Sequence, residues 1–153
     1  MSQVEEFEKI VEEVKDKPVK VVIVTGKPGS GKSKVLREAA EAKKWEYIDC
    51  RLLITEKFLE VPIEERKGRG AAMMLEILDT YNADVIMLDR LQTLFVPVFN
   101  IDIEDLLRKL SEKYVIVTAW PGYVEGSTLC YDKFDGTESI RISSEGFVLW
   151  NVD

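Results

Sequence analysis

Between Lys20 and Ser33 the chain passes from an almost continuous β-branched run, Val21-Val22-Ile23-Val24-Thr25, into Gly26-Lys27-Pro28-Gly29-Ser30-Gly31-Lys32-Ser33. The second segment fits the phosphate-binding loop pattern G-x-x-x-x-G-K-[ST] at every fixed position. Glycines let consecutive backbone N–H groups curl around phosphate oxygens in conformations that a Cβ obstructs. A lysine in this place reaches β- and γ-phosphates, and a serine hydroxyl there can ligate Mg²⁺. Ser33 to Lys44, rich in Ala, Glu, Lys, Leu and Arg, reads as a helix whose positive dipole end adds to the same anion site. A strand buried on both faces, a glycine loop and a helix in that order restrict the fold to a layered α/β architecture with a mostly parallel sheet.

The rest of the chain supplies the other layers. Val4, Phe7, Val11 and Val14 make an amphipathic N-terminal helix over about residues 3–16, capped by Ser2 and ended by Pro18. Residues 1–17 are therefore assigned to that helix and 18–153 to one α/β domain, since 153 residues leave no room for a second. Trp45–Asp49 reads as a strand, Ile54–Glu60 as helical, and Glu64–Gly70 as a charged, glycine-punctuated loop leading into a helix over Gly70–Tyr81. Asp102–Ser111 is a capped helix, and Tyr114–Thr118 another buried strand. Three further strands are expected at Thr128–Tyr131, Ser139–Ser143 and Phe147–Val152, the last two joined by the turn Ser144-Glu145-Gly146.

Ala83-Asp84-Val85-Ile86-Met87-Leu88-Asp89 has the form of a Walker B strand, apolar residues followed by a carboxylate that can hold Mg²⁺ through its hydration shell. One strand and a helix separate it from the phosphate loop, the layout of the additional-strand P-loop NTPases, which include AAA+ and RecA-like ATPases. The predicted site is thus a nucleotide cradle of Gly26, Lys27, Pro28, Gly29, Ser30, Gly31, Lys32, Ser33 and Lys34. Ser33 and Asp89 serve Mg²⁺, and Lys32, Asp89, Gln92 and Thr118 serve catalysis, Thr118 as a strand-end sensor of the γ-phosphate. Many enzymes of this class place a glutamate after the aspartate to polarise water. Arg90 stands there instead, and Gln92, two residues on, can orient water without accepting its proton. Slow, partner-dependent or absent hydrolysis fits this arrangement.

Other classes fit less well. No D-x-x-G or N-K-x-D of a GTPase is present, and a small-molecule kinase would have only Arg66–Arg69 as a lid. The chain has no histidine, which removes Ser-His and Cys-His nucleophilic chemistry. Cys50 and Cys130 lack any metal-ligand spacing and read as buried free thiols. A net charge of −7 argues against a broadly basic nucleic-acid surface, leaving Arg66, Lys67 and Arg69 as the local patch that could touch DNA phosphates, against a merely solvated loop. No apolar run is long enough to span a bilayer and no signal-peptide core is present, so a cytoplasmic location is expected.

Several segments taken together resemble a particular family. They are Gly26–Ser33, Tyr47-Ile48-Asp49 with Arg51-Leu52-Leu53, Val85–Asp89 running into Leu91-Gln92-Thr93-Leu94-Phe95, Leu106–Leu110, and Val115-Ile116-Val117-Thr118-Ala119-Trp120-Pro121-Gly122. Over about residues 20–143 the chain resembles the BrxF family of small P-loop proteins from BREX bacteriophage-exclusion systems. The resemblance implies a single-domain AAA+-like ATPase using ATP and Mg²⁺ in antiviral defence. It further implies a homo-oligomer working with other BREX components, among them a larger ATPase, a DNA methyltransferase and a phosphatase-like protein. In such an oligomer a neighbouring subunit can supply an arginine to the γ-phosphate, with Arg51, Arg90, Arg108 and Arg141 as candidates. The chain departs from the expected pattern at Gln92, where a glutamate would sit more naturally, and has no room for a helical lid domain.

Overall fold

A computed structural model describes residues 2–133 and 139–153. Five parallel strands form the central sheet: β1 (Val21–Thr25), β2 (Glu46–Asp49), β3 (Val85–Asp89), β4 (Val115–Ala119) and β8 (Val148–Asn151), in the order β2-β3-β4-β1-β8. Alternate residues of each strand divide between two cores. Val22, Val24, Val85, Met87, Val115 and Val117 face one side, where α1 (Gln3–Val14) and α2 (Lys32–Lys43) cover them. Val21, Ile23, Ile86, Leu88 and Ile116 face the other, under α4 (Ile63–Leu78) and α5 (Ile103–Leu110). The architecture is a three-layer α/β/α sandwich, as the sequence predicts.

The helix starts follow local chemistry. Ser2 Oγ accepts from the Glu5 N–H and Asp102 from the Asp105 N–H, so α1 and α5 are side-chain capped. Helix α1 packs against α2 and reaches the end of β8: the rings of Phe7 and Trp150 lie 5.1 Å apart, and Gln3 Nε2 donates to the Val152 carbonyl at 2.6 Å. Among the described residues no helix is long and apolar enough to cross a membrane.

Two expectations need correction. The segment 64–70 is not a loop but the first half of α4, which runs unbroken from Ile63 to Leu78. Two interior glycines disfavour this helix by about 1 kcal/mol each, but a buried arginine holds its start. Arg66, 7% exposed, donates to the carbonyls of Leu59 (2.8 Å), Val61 (2.9 Å) and Val98 (2.7 Å). It thereby satisfies carbonyls left free at the end of the one-turn helix α3 (Glu56–Leu59), which with a 3₁₀ turn over Cys50–Leu53 replaces the expected helix over 54–60.

The turn 144–146 joins β7 (Ser139–Ser143) to β8, but the two strands do not pair. β8 lies parallel to β1, whereas β7 joins β6 (Thr128–Asp132) in a separate antiparallel sheet whose other edge is the unanticipated β5 (Tyr123–Glu125). Trp120-Pro121-Gly122, directly after β4, joins the small sheet to the end of that strand. The buried Trp120 indole donates to the Cys130 carbonyl at 2.8 Å and stacks near Phe95, and a Cβ at position 122 would come within 1.9 Å of that same carbonyl oxygen. Only glycine permits this approach of the small sheet to the end of β4.

Replacing Arg66 by Met keeps volume but orphans three carbonyls. We expect Arg66→Met to lower the unfolding free energy by about 3 kcal/mol, read as a lower urea midpoint at unchanged slope. A midpoint equal to that of the wild type would refute this role.

Candidate functional site

The loop between β1 and α2 has the backbone its glycines allow. Gly29 (φ 80°) and Gly31 (φ 98°) are left-handed, and a Cβ added at either would meet nothing within 4 Å, so both face open space. Gly26 is constrained instead by contact, since a Cβ there would lie 2.6 Å from Ser30 Oγ and 2.7 Å from Val152 Cγ1. The Ser30 N–H closes a turn on the Lys27 carbonyl at 3.0 Å, and Ser30 Oγ is buried without a hydrogen-bond partner. Lys32 Nζ folds back to donate to the Gly26 carbonyl at 2.7 Å and the Lys27 carbonyl at 3.3 Å. Pro28 lies on the β8 side of the loop with Asn151 and Asp153, and the Lys27 N–H donates to Asp153 Oδ2 at 3.1 Å. Lys34 points outward, 3.8 Å from Glu38.

Asp89 ends β3 on the face that carries α2, so it meets the first turn of that helix. Ser33 Oγ donates to its Oδ1 at 3.0 Å, as does the Arg90 N–H at 2.9 Å, and the Tyr47 hydroxyl donates to its Oδ2. Burial, and next the carboxylate of Asp89, raise the Tyr47 phenol above its ordinary range, so it stays a donor at neutral pH. Lys32, Ser33, Asp89 and Gln92 line one cleft, walled on the β4 side by Ala119 and Pro121. A lysine, a hydroxyl and a carboxylate thus meet beside an open glycine cradle. This donor set fits a nucleoside triphosphate with Mg²⁺: the open glycines and the unpartnered Ser30 hydroxyl suit phosphate oxygens, and the oxygens of Ser33 and Asp89 suit a hard cation.

Thr118 is not brought to this cleft. It faces the opposite side of the sheet, fully buried, with its hydroxyl donating to the Leu88 carbonyl at 2.7 Å. Of the candidate arginines, Arg108 pairs with Glu104 at 3.2 Å and stacks over Phe147, and Arg141 pairs with Asp132 at 2.9 Å. Arg66, expected in a DNA-contacting patch, is buried in the internal cap described above; Lys67 and Arg69 remain exposed on α4. Cys50 and Cys130 are both buried free thiols, and burial, then the charges of Asp49 and Asp89, push the Cys50 thiol far up, so it has no nucleophilic character.

Two participants carry no motif of their own. Tyr47 and Asp49 share a face of β2, and the β2–β3 register places Asp49 opposite Asp89. Their period-two spacing is visible in the sequence, but the neighbour to which they are presented is not. Asp49 accepts from the Arg51 N–H (2.9 Å), from Arg51 Nη2 (2.9 Å) and from Arg90 Nε (3.1 Å). Burial pushes its carboxyl up, but the hydrogen bonds of Arg51 and the charges of Arg51 and Arg90 outweigh that and leave it below the usual carboxylate range.

Strand order, glycine loop and Asp89 agree. The fold is that of a P-loop NTPase of the additional-strand branch. No family model and no curated protein matches the chain. Among solved structures it is similar to AMPPCP-bound DnaA from Aquifex aeolicus, at 19% identity and a TM-score of 0.48 over 100% of this chain and 47% of that one. It is also similar to C. elegans PCH-2, at 13% identity and a TM-score of 0.45 over 98% of this chain and 40% of that one. The chain therefore spans less than half the length of either.

Because the folded-state pKa of Asp49 lies below its unfolded value, its contribution to stability is complete above the unfolded value and is lost as pH falls through the folded one. Thermal melts below about pH 4 should therefore show a shallower acid limb for Asp49→Asn than for the wild type. Parallel acid limbs would refute the pairing.

Proposed function

We propose that this chain binds ATP with Mg²⁺ and hydrolyses it, acting in BREX-type antiviral defence as a homo-oligomer with other components of that system and DNA. One observation carries the nucleotide reading: Ser33 Oγ and Asp89 Oδ1 lie 3.0 Å apart beside a loop whose Gly29 and Gly31 face open space. The defence assignment rests on the resemblance of the Asp89–Phe95 and Val115–Gly122 segments to the BrxF family.

In this reading the backbone N–H groups from Lys27 to Lys32 cradle the phosphates, and Lys32 exchanges the Gly26 and Lys27 carbonyls for phosphate oxygens. Ser33 and Asp89 hold the metal side, and Tyr47 fixes the second oxygen of Asp89 so that the carboxylate keeps its orientation. Bound Mg²⁺ neutralises charge on the β- and γ-phosphate oxygens. Gln92, exposed in the same cleft, orients the attacking water.

A second reading, a nucleotide-gated assembly module with little turnover, is favoured by one feature: neither position 90 nor position 92 carries a carboxylate. Phosphate release with and without DNA and partner proteins separates the two, since zero turnover in every mixture leaves the module.

Lys32→Ala should weaken ATP binding at least about 100-fold, the loss of a charge-assisted phosphate contact; unchanged affinity in a calorimetric titration would remove the site assignment. Size measured by light scattering should increase when ATP and Mg²⁺ are added, and a mass that ignores nucleotide would count against the oligomer.

A further inference from the structure

Directly after Asp89 the backbone turns sharply: Arg90 is non-glycine yet left-handed, at φ 58° and ψ 44°. Such residues persist where surrounding contacts over-determine them, and they cluster at functional sites. Here the constraint is visible. The Arg90 N–H donates to Asp89 Oδ1, the same oxygen that accepts from Ser33. The backbone of Arg90 is thus fixed to the carboxylate of the nucleotide site, while its side chain is 58% exposed and lines the cleft that holds Lys32 and Ser33.

Among the described residues that side chain has one ionic partner, Asp49, through Nε at 3.1 Å. Asp49 does not depend on it. Arg51 already gives Asp49 a backbone N–H, Nε at 3.1 Å and Nη2 at 2.9 Å, so the carboxylate stays paired if Arg90 departs. Exposed ion pairs contribute little to stability. Two guanidinium groups thus share the carboxylate of Asp49.

We propose that Arg90 is the cation that stabilises the γ-phosphate of its own subunit during hydrolysis, with Asp49 as its resting partner and Arg51 as the residue that frees it. The inference rests on the ATP-site reading above and gives position 90 a role other than the absent base. In the reaction, water forms a bond to the γ-phosphorus and the bond to the β–γ bridging oxygen breaks. Its electron pair leaves on ADP, and the water proton passes to a γ-phosphate oxygen. Negative charge that develops on the transferring group is what a guanidinium beside it neutralises.

The test compares wild type, Arg90→Ala, Arg90→Lys and Asp49→Asn for binding of Mg²⁺·ADP and of Mg²⁺·ADP·aluminium fluoride, a mimic of the transferring phosphoryl group. For Arg90→Ala we expect ADP affinity within about two-fold of wild type, the mimic weakened at least about 30-fold, and single-turnover phosphate release slowed about 100-fold or more. Arg90→Lys should recover part of the mimic affinity, because it restores charge without the planar fork. Asp49→Asn should bind the mimic about three-fold more tightly, because the competing carboxylate charge is gone. Mimic binding by Arg90→Ala at the wild-type level, or an equal loss for ADP and mimic, would overturn the proposal. A wild-type chain that binds neither ADP nor ATP would instead overturn the nucleotide reading itself, a distinguishable result.

Discussion

A parallel sheet buried on both faces confines polar chemistry to the ends of its strands. The inner strands β1, β3 and β4 are paired on both sides, and apart from Thr25, Asp89 and Thr118 their side chains are apolar in both directions. The carboxyl ends are where the chain turns outward, and at the ends of β1, β2 and β3 it places Gly26, Asp49 and Asp89. The strand order then decides which of them meet. With β4 inserted between β1 and β3, helix α2 lies across the gap, and its first turn reaches Asp89 from a segment 56 residues away.

Much of this is legible in the amino-acid sequence. The β-branched runs mark the buried strands because they are short, rich in Val and Ile and apolar at successive positions, which suits a strand covered on both faces. The aspartate at the end of such a run can be assigned because its chemistry and its position coincide. Interactions whose partners are chosen by topology cannot be read in this way. The hydroxyl of Tyr47 has meaning only once β2 lies beside β3. Gly68 and Gly70 signal a loop, correctly by local propensity, but Arg66 ties the helix start to three carbonyls from two other segments and overrides it. Thr118 shows the converse, a residue at the right strand end but on the wrong face, a distinction set by the phase of a two-residue period.

The distribution of arginines follows the same logic. Arg66 and Arg108 are used inward, one as a cap for carbonyls and the other stacked on Phe147. Arg51 and Arg90 are used at the edge of the cleft, where both converge on Asp49. A cation held at the surface by a shared partner is a different object from one held by several buried carbonyls: the first can be redirected, the second cannot.

The contacts that close the base of the phosphate loop come from far along the chain. The Val152 N–H donates to the Thr25 carbonyl, Val152 Cγ1 lies 2.7 Å from where a Cβ of Gly26 would be, and Gln3 reaches the Val152 carbonyl across 149 positions. Such distant pairings carry a loop-closure cost in chain entropy that local contacts do not. During synthesis the loop residues leave the ribosome before the strand that seats them exists. The nascent chain therefore carries its glycine loop before the loop has its seat, and β8 is the segment whose arrival supplies it.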